Sequence, residues 1–334
     1  MPDLKPLHTN QRLLLEELRA RGAAVEILDA GLELVRVTLR GRAHYLIDRT
    51  SAVVAHVPAV LAADKFLTKR LLREAGIRAP EGGLFSEETV DDALRFAAQR
   101  DFQVVFKPNY GSHGRDVETE ISGADGLRRI IERYLSRESD AGEYLVEDLV
   151  PGLEHRVFIT TKGDYAVLQR EPAHVVGDGA RTIAELASAE TERRAAVKKE
   201  SGSALCPIAV DSSARSFLKN RGQSLDDVPP EGEKVYLRRI SNLALGGVSR
   251  DMTEVAHPSV IRIARQILRC FSGLAVAGVD FITTDITRDQ ESLPYGVIEV
   301  NANPGLSMHM MPVMGDPQPV AKYLADVMFP EDAG

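Results

Sequence analysis

Two strand-like segments near the C-terminal end of the chain constrain the fold most, because each places polar side chains inside an apolar run. Asp280 lies within "LAVAGVDFITTDI", and Glu299 and Asn301 lie within "YGVIEVNANPG". Both runs have the length and apolar content of buried β-strands, and we expect them to be antiparallel neighbours in one sheet. An unpaired carboxylate in such a strand is costly to desolvate, so Asp280 requires a cation beside it.

The alternation of the second segment indicates what that cation is. Side chains two positions apart on a strand point the same way, which places Val297, Glu299 and Asn301 on one face. Ile298 and Val300 then point to the other face, which we expect to be core. Carboxylate and amide oxygens from adjacent strands are typical of a Mg²⁺ site that also binds phosphate oxygens. The alternative is that the two carboxylates pair only with arginines of the fold.

The composition limits the partners and the compartment. The chain has 334 residues, 44% of them hydrophobic and 27% charged, with a formal net charge of −8. This size allows two or three lobes, and the acidic balance argues against a nucleic-acid partner. Its two cysteines, Cys206 and Cys270, lack the spacing of a metal site and cannot form a disulfide framework. No segment suits a signal peptide or a membrane span, so we expect a soluble cytoplasmic protein without a membrane partner.

The order of predicted elements indicates an α+β fold of three lobes. Residues 1–62 contain a helix, a strand and a hairpin that turns at Gly41. Residues 63–150 alternate helices with the strands "FQVVFKP" and "EYLVEDLV". Residues 151–334 contain two strands around "KGD", a polar, helix-prone stretch over 184–232 that we expect to be mobile or inserted, and the amphipathic helix "HPSVIRIARQILRCFSG".

Cations and glycines that suit a phosphate lie in the second predicted lobe. Lys107 ends a strand, and Gly111 and Gly114 lie in the loop after it, although the loop lacks the ending of a Walker motif. Lys65 and the lysine four residues after it share a helical face, for which solvated side chains are the usual explanation. Glu154 follows a Pro-Gly turn, where it would hold ribose hydroxyls or remain an ordinary surface glutamate.

Taken in order, these pieces resemble the ATP-grasp superfamily of carboxylate–amine ligases. Within it, they are similar to the ATP-grasp region of cyanophycin synthetase and of the bifunctional glutathione synthase. The resemblance covers about residues 50 to 330. It rests on the motifs "DKFLTKRLLREAGIRAP", "FKPNYGSHGRDV", "VEDLVPGLEHRVFI", "REPAHVVGDGARTIAEL", "VYLRRISNLALGG", "AGVDFITTDI" and "VIEVNANPGLSMHM".

The resemblance implies an ATP-grasp fold in which two α+β lobes clamp ATP. The positions it implies at the phosphates are Lys65, Lys107, Gly111, Ser112 and Gly114. Those it implies at the adenine and the ribose are Glu147, Leu149, Val150 and Glu154. It further implies that Asp280, Glu299 and Asn301 bind two Mg²⁺ ions, with Glu299 bridging them and Mn²⁺ as the alternative ion.

The same resemblance places contacts to the reacting groups in "RRISNLALGG" and after the metal strand. The residues implied to hold the acceptor or to stabilise the transferring phosphoryl group are Arg238, Arg239, Asn242 and Gly247. The further substrate contacts implied are Arg156, Arg170, Gly246, Gly305 and Ser307. In the D-alanine ligase branch an arginine stands two residues before the metal aspartate, and here that position is Gly278. We therefore expect phosphoryl stabilisation from Arg238 or Arg239.

The resemblance implies a ligase that activates a carboxylate of an amino acid or short peptide as an acyl phosphate and joins it to an amine. ADP and phosphate are then the products, and the partners are small-molecule carboxylates and amines, with association into homo-oligomers left open. Neither a Mur-ligase-like domain nor a γ-glutamylcysteine-forming half is found, so we expect a stand-alone enzyme. The alternatives are a glutathione-synthetase-like or D-alanine-ligase-like enzyme, or a non-catalytic ATP-binding regulatory protein.

Overall fold

The computed structural model describes residues 4, 7–48, 50, 51, 53–111, 114, 116–137, 142–201, 205–239 and 241–331. The α-helices of this part of the chain are α1 (Thr9–Ala20), α2 (His56–Ala63), α3 (Lys65–Glu74), α4 (Val90–Ala98), α5 (Gly123–Leu135), α6 (Ile183–Ser201), α7 (Ser212–Lys219), α8 (Pro258–Cys270), α9 (Ser307–Met310) and α10 (Val320–Met328). The strands are β1 (Ala24–Asp29), β2 (Leu34–Leu39), β3 (Arg42–Ile47), β4 (Thr50–Ser51), β5 (Gly82–Phe85), β6 (Val104–Pro108), β7 (Tyr144–Asp148), β8 (Leu153–Thr160), β9 (Tyr165–Glu171), β10 (His174–Val176), β11 (Lys234–Tyr236), β12 (Val248–Asp251), β13 (Val276–Thr283) and β14 (Tyr295–Asn301).

The contacts between residues divide the chain into two compact units. The first comprises Met1–Ala79, His155–Gln169 and Asp251–Gly334, and the second comprises Pro80–Glu154 and Arg170–Arg250. Each unit is thus assembled from stretches that are far apart in sequence. The three lobes proposed from the sequence, with boundaries after residues 62 and 150, stay a prediction.

The N-terminal part of the first unit is a four-stranded antiparallel sheet in the order β1-β2-β3-β4. Arg40 and Gly41 connect β2 to β3 with φ of 52° and 74°, so both positions are left-handed, as a tight two-residue hairpin requires. Leu14 and Leu18 of α1 and Leu324 of α10 lie in one core with this sheet. The predicted helix and hairpin are therefore confirmed.

A five-stranded sheet has the order β12-β9-β8-β13-β14, and β13, β14 and most of β8 and β9 belong to the first unit. Helix α8 buries Val260, Ile263 and Ile267 in the core that also contains Val279 and Phe281 of β13. Helices α2 and α3 pack against β14. The spacing of apolar residues in α8 had predicted this buried side.

The second unit contains two smaller sheets. Strands β5, β7 and β6 form an antiparallel sheet in that order, and its core includes Phe106, Leu127 and Tyr144. Strands β10 and β11 pair antiparallel, and helices α6 and α7 share a core with them. The helix-prone character of 184–232 is confirmed by α6 and α7. No helix among the described residues is long and apolar enough to cross a bilayer.

Candidate active site

Strands β13 and β14 pair antiparallel, as predicted, and their register brings the proposed metal ligands together. Asp280 lies opposite Glu299, and Gly278 lies opposite Asn301. Residues directly opposite each other on an antiparallel pair have their side chains on the same face. The two carboxylates and the amide therefore share one face of the sheet, and they have the oxygen donors that Mg²⁺ prefers.

The prediction for Val297 and Ile298 was wrong. The pairing passes from Asp280–Glu299 to Phe281–Val297, so Ile298 is the extra residue of a β-bulge. Val297 is fully buried in the same core as Val300, whereas Ile298 is half-buried. The bulge resets the alternation, which strict period-two reasoning could not reveal.

The cation that Asp280 requires is Arg156 of β8, the strand next to β13. Arg156 donates through Nε to Oδ1 of the carboxylate and through Nη2 to Oδ2 at 3.2 Å. Both side chains are only 9% exposed, and two-pronged guanidinium–carboxylate pairs are strong and directional. Asp280 is therefore paired with an arginine, and a metal ion at this carboxylate would share it with Arg156.

Gly278 leaves room for that guanidinium. A Cβ at this position would lie 2.9 Å from the Cβ of Pro304 and 3.3 Å from Cδ and Nη1 of Arg156. Real Cβ atoms do not fit at such distances unless their neighbours move. Arg156 from the neighbouring strand therefore occupies the space that a side chain at 278 would need.

The expectation of solvated lysines on α3 was wrong. Lys65 and Lys69 are 7% and 2% exposed, and α3 packs against β14. Asp64 caps the helix by accepting the Leu67 N–H at 2.9 Å. Buried ammonium groups are rare and need compensating polar partners, so these lysines have more than a solubility role.

Among the described residues, no three His, Cys, Asp or Glu side chains cluster as a metal site would require. The proposed set has only two carboxylates and uses the amide of Asn301 as its third ligand. That amide also lies 3.4 Å from the carbonyl oxygen of Gly278, through Nδ2.

In the second unit, the three-stranded sheet brings two proposed nucleotide contacts together. Lys107 of β6 and Glu147 of β7 are nearly fully buried, with Nζ and Oε1 2.5 Å apart. Gly111 and Gly114 have φ of +123° and +69°, which favours glycine in the following loop, and Ser112 lies outside the described residues.

The segment proposed to read the adenine ring follows β7. The Leu149 N–H donates to the carbonyl of Gln103 at 3.3 Å, and Leu149 and Val150 are both half-buried. The Leu149 N–H is therefore engaged within the unit.

Glu154 is a shared acceptor rather than an isolated surface carboxylate. Arg170 donates through Nη2 to Oε1, and the Ser241 hydroxyl donates to Oε2. The structure thus joins the proposed ribose carboxylate to the proposed substrate residue Arg170. It also brings in Ser241, for which the sequence offered no distinguishing signal.

Arg238 and Arg239 contact different partners. Arg238 donates through Nη2 to the Ala209 carbonyl at 2.5 Å and pairs with Asp211 at 3.0 Å. Burial opposes ionisation of Asp211, but hydrogen bonds from the Ala214 N–H and from Arg238 lower its pKa overall. Since Asp211 caps α7, Arg238 fixes the start of that helix.

Arg239 is more exposed, and its Nη1 lies 3.1 Å from Oε1 of Glu120. Arg221 approaches the same oxygen at 3.3 Å. Both contacts link segments of the second unit that sequence reasoning had treated separately.

At the proposed substrate positions Gly246 and Gly247, neighbouring backbone atoms lie too close for a larger residue. Gly246 has φ of +97°, and a Cβ there would lie 2.7 Å from the Cα of Ile208. A Cβ at Gly247 would lie 3.0 Å from the carbonyl oxygens of Asn242 and Glu171. The Gly247 N–H donates to the Asn242 carbonyl at 3.1 Å, which closes this turn.

Arg194 of α6 hydrogen-bonds to the same turn. It is 2% exposed and donates through Nη1 to the carbonyls of Gly246 at 2.7 Å and Cys206 at 3.0 Å. Its Nε pairs with Glu190 at 2.8 Å. The hydrogen bond from Arg193, followed by that from Arg194, lowers the pKa of Glu190 to about 2 against the opposing effect of burial. Sequence reasoning missed Arg194 because "ETERRAAVKK" is typical of a solvated helix.

Comparison with known proteins decides the fold. A solved bifunctional glutathione synthetase from Pasteurella multocida aligns with a TM-score of 0.67 and 27% identity, covering 97% of this chain and 44% of that one. This structural neighbour is an ATP-grasp ligase. The chain has the ATP-grasp fold.

Curated relatives of this ATP-grasp chain carry the two names that its motifs predicted. A cyanophycin synthetase from Trichormus variabilis is 34% identical over 275 residues, which are 81% of this chain and 30% of the relative. The glutathione biosynthesis bifunctional protein of Clostridium perfringens is 29% identical over 326 residues, 96% of this chain and 41% of the relative. The chain thus spans less than half the length of either relative. No protein-family model matches it.

Proposed function

We propose that this ATP-grasp chain is an ATP-dependent ligase that joins a carboxylate of an amino acid or short peptide to an amine, releasing ADP and phosphate. The observation that carries the proposal is the register of β13 and β14, which places Asp280, Glu299 and Asn301 on one face. A strand that served only the core would not need three oxygen donors there. The names of the relatives, a cyanophycin synthetase and a glutathione biosynthesis bifunctional protein, support the same class of reaction.

These three residues would hold Mg²⁺, with Mn²⁺ as the alternative, and Glu299 would bridge two ions. When bound, such ions screen phosphate charge and orient the transferring group. Lys65, buried beside β14, would neutralise phosphate oxygens. In the second unit, Lys107, Gly111 and Gly114 would bind phosphates, and Ser112 is proposed with them.

For the rest of the nucleotide, Glu147 and the backbone at Leu149 and Val150 would bind the adenine. Glu154, already oriented by Arg170 and Ser241, would accept the ribose hydroxyls. An acceptor carboxylate held by two donors is fixed in orientation before the ligand arrives, which reduces the ordering cost of binding.

We assign to Arg156 the role that was predicted for Arg238 or Arg239. Each of the three arginines pairs with a carboxylate: Arg238 with Asp211, Arg239 with Glu120 and Arg156 with Asp280. Arg156 is preferred because its partner is a proposed metal ligand and its guanidinium packs on Gly278 of the proposed metal-binding strand. Asn242, Gly246 and Gly247 form a narrow turn that would bind the acceptor. Gly305 and Ser307, which follow β14 in sequence, would also contact the acceptor.

The reaction follows from charge. A carboxylate oxygen attacks the γ-phosphorus of ATP, the bond to the β-phosphate oxygen breaks, and ADP leaves. The amine nitrogen then attacks the acyl carbon, and phosphate departs with the former carboxylate oxygen while the nitrogen loses a proton. A guanidinium such as that of Arg156 would stabilise the negative charge that develops on the acyl oxygen.

A Glu299→Gln variant tests the metal assignment. It keeps the size of the side chain but removes the charge, so amine-dependent ADP formation should fall by about 100-fold or more. The assay uses MgATP with pooled amino acids and follows ADP. Glu291→Gln is the matched control, because Glu291 is 74% exposed and pairs with Arg262 outside the proposed site. Turnover like that of the wild type in Glu299→Gln would refute the assignment.

A further inference from the structure

The loop that follows the metal-binding strand is anchored by a residue close to the other end of the chain. Oδ1 of Asn10, in the first turn of α1, accepts the N–H groups of Leu306 at 2.8 Å and Ser307 at 2.7 Å. Asn10 is buried, and 296 residues separate it from Leu306. One side-chain oxygen therefore satisfies two consecutive backbone donors at the start of α9.

Two further contacts hold the same loop. Asn303 donates through Nδ2 to Oδ2 of Asp48 at 3.2 Å. Leu306 is fully buried in the core formed with Leu14 and Leu18 of α1. The N-terminal sheet and helix thus fix this loop by hydrogen bonds and by apolar packing, although nothing in their own sequence indicated a binding role.

Asn10 anchors the loop beside residues that are proposed to contact the substrate. One anchored donor belongs to Ser307 and the other follows Gly305, and both residues are proposed substrate contacts. The two donors follow Asn301, the proposed metal ligand, by a few residues. A Cβ at Gly305 would lie 3.9 Å from Oδ1 of Asn10, so the anchor packs directly against this turn. Because Asn10 already accepts the two N–H groups, it would act on the substrate through the backbone of the loop.

We propose that Asn10 is a positioning residue of the ligase, which holds the loop 302–310 in the conformation that accepts the substrate. The kinetic part of this inference rests on the proposed function, and the anchoring part does not. The position demands an acceptor of this length. Aspartate can accept both N–H groups, leucine can accept neither, and serine is too short to keep both.

The test compares Asn10→Leu, Asn10→Asp and Asn10→Ser with the full-length wild type. Hydrogen exchange of peptides covering 302–310 should be at least about tenfold faster in Asn10→Leu, since the variant loses both hydrogen bonds and the loss of each favours opening by up to about tenfold. With MgATP and pooled amino acids as the probe, kcat for ADP release should fall at least about tenfold at an unchanged KM for ATP. Asn10→Asp should restore both readouts, and Asn10→Ser should give intermediate values.

Gln11→Leu is the matched control on the same helix. Gln11 is fully buried and donates through Nε2 to the Glu33 carbonyl at 2.7 Å, away from the loop. The Gln11→Leu variant should lower the free energy of unfolding without changing hydrogen exchange in 302–310 or kcat for ADP release. This comparison separates a positioning role from a general loss of stability, and Asn10→Ser preserves the test if the leucine variant does not fold.

Unchanged exchange of 302–310 in both Asn10→Leu and Asn10→Ser would overturn the anchor. Faster exchange with kcat and KM like those of the wild type would overturn the positioning role. If the wild type releases no ADP with any amino acid, the proposed ligase function fails and the positioning role fails with it, while exchange alone still decides whether Asn10 anchors the loop.

Discussion

At the residue scale, the proposed active site depends on a buried ion pair and on the glycine against which it packs. Arg156 reaches Asp280 across adjacent strands, and Gly278 provides the space for its guanidinium. A buried pair of this kind is costly to break, because the remaining charge is left without compensation. The same pair places an arginine at the proposed metal site, although β13, which carries Asp280, has no arginine of its own.

Gly278→Ala tests this packing. The added Cβ would lie 2.9 Å from Pro304 and 3.3 Å from Arg156, so overpacking should lower the free energy of unfolding by about 1–3 kcal/mol. Urea unfolding gives this quantity directly. Gly142→Ala is the control, since a Cβ there would meet nothing within 4 Å and should change stability little. Equal midpoints for the two variants would contradict the close packing of Arg156 on Gly278.

The sequence could predict much at this scale, but not the partners of each charge. The spacing of Asp280, Glu299 and Asn301 predicted their shared face, which the register confirms. The bulge at Ile298 could not be read from the pattern, because one extra residue leaves the composition of the strand unchanged. The burial of Lys65 and Lys69 was also hidden, since helical spacing does not distinguish a solvated face from one packed on a sheet.

At the element scale, α6 illustrates the same limit. Its sequence predicted only a polar, helix-prone stretch, yet Arg194 is buried and hydrogen-bonds the helix to the turn at Gly246. Glu190 of the same helix pairs with Nε of Arg194. Its folded-state pKa of about 2 lies below the ordinary 4.5, so the stabilisation is fully present above pH 4.5 and is lost as the pH falls towards 2.

Arg194→Met should lower the free energy of unfolding by about 3 kcal/mol near neutral pH. The substitution removes the buried guanidinium that contacts Glu190 and the carbonyls of Cys206 and Gly246. Arg193→Met is the matched control, since Arg193 is 58% exposed and pairs with the same carboxylate, and it should cost less than about 1 kcal/mol. Denaturant unfolding over a range of pH measures both. The Arg194→Met penalty should shrink as Glu190 is protonated, and a penalty no larger than that of Arg193→Met would contradict the assigned contact.

At the scale of the whole molecule, the ATP-grasp fold was predictable because its motifs occur in a fixed order along the chain. Their order does not indicate which distant segments pack into one unit. The first unit combines the N-terminal residues with the proposed metal-binding strands, and the contacts of Asn10 and Asp48 are among those that join them. Contacts between segments so far apart in sequence depend on the packing of the folded chain, and local sequence patterns do not predict them.

The fate of the substrate carboxylate oxygen shows whether the chain forms an acyl phosphate. The wild-type chain would be incubated with MgATP and pooled amino acids whose carboxyl groups carry ¹⁸O, and the phosphate and nucleotide products would be analysed by mass spectrometry. An acyl phosphate passes one carboxylate oxygen to the departing phosphate, so the account predicts ADP together with phosphate that contains one ¹⁸O atom. AMP carrying the label, with unlabelled pyrophosphate, would contradict it, and so would ADP formation that leaves phosphate unlabelled.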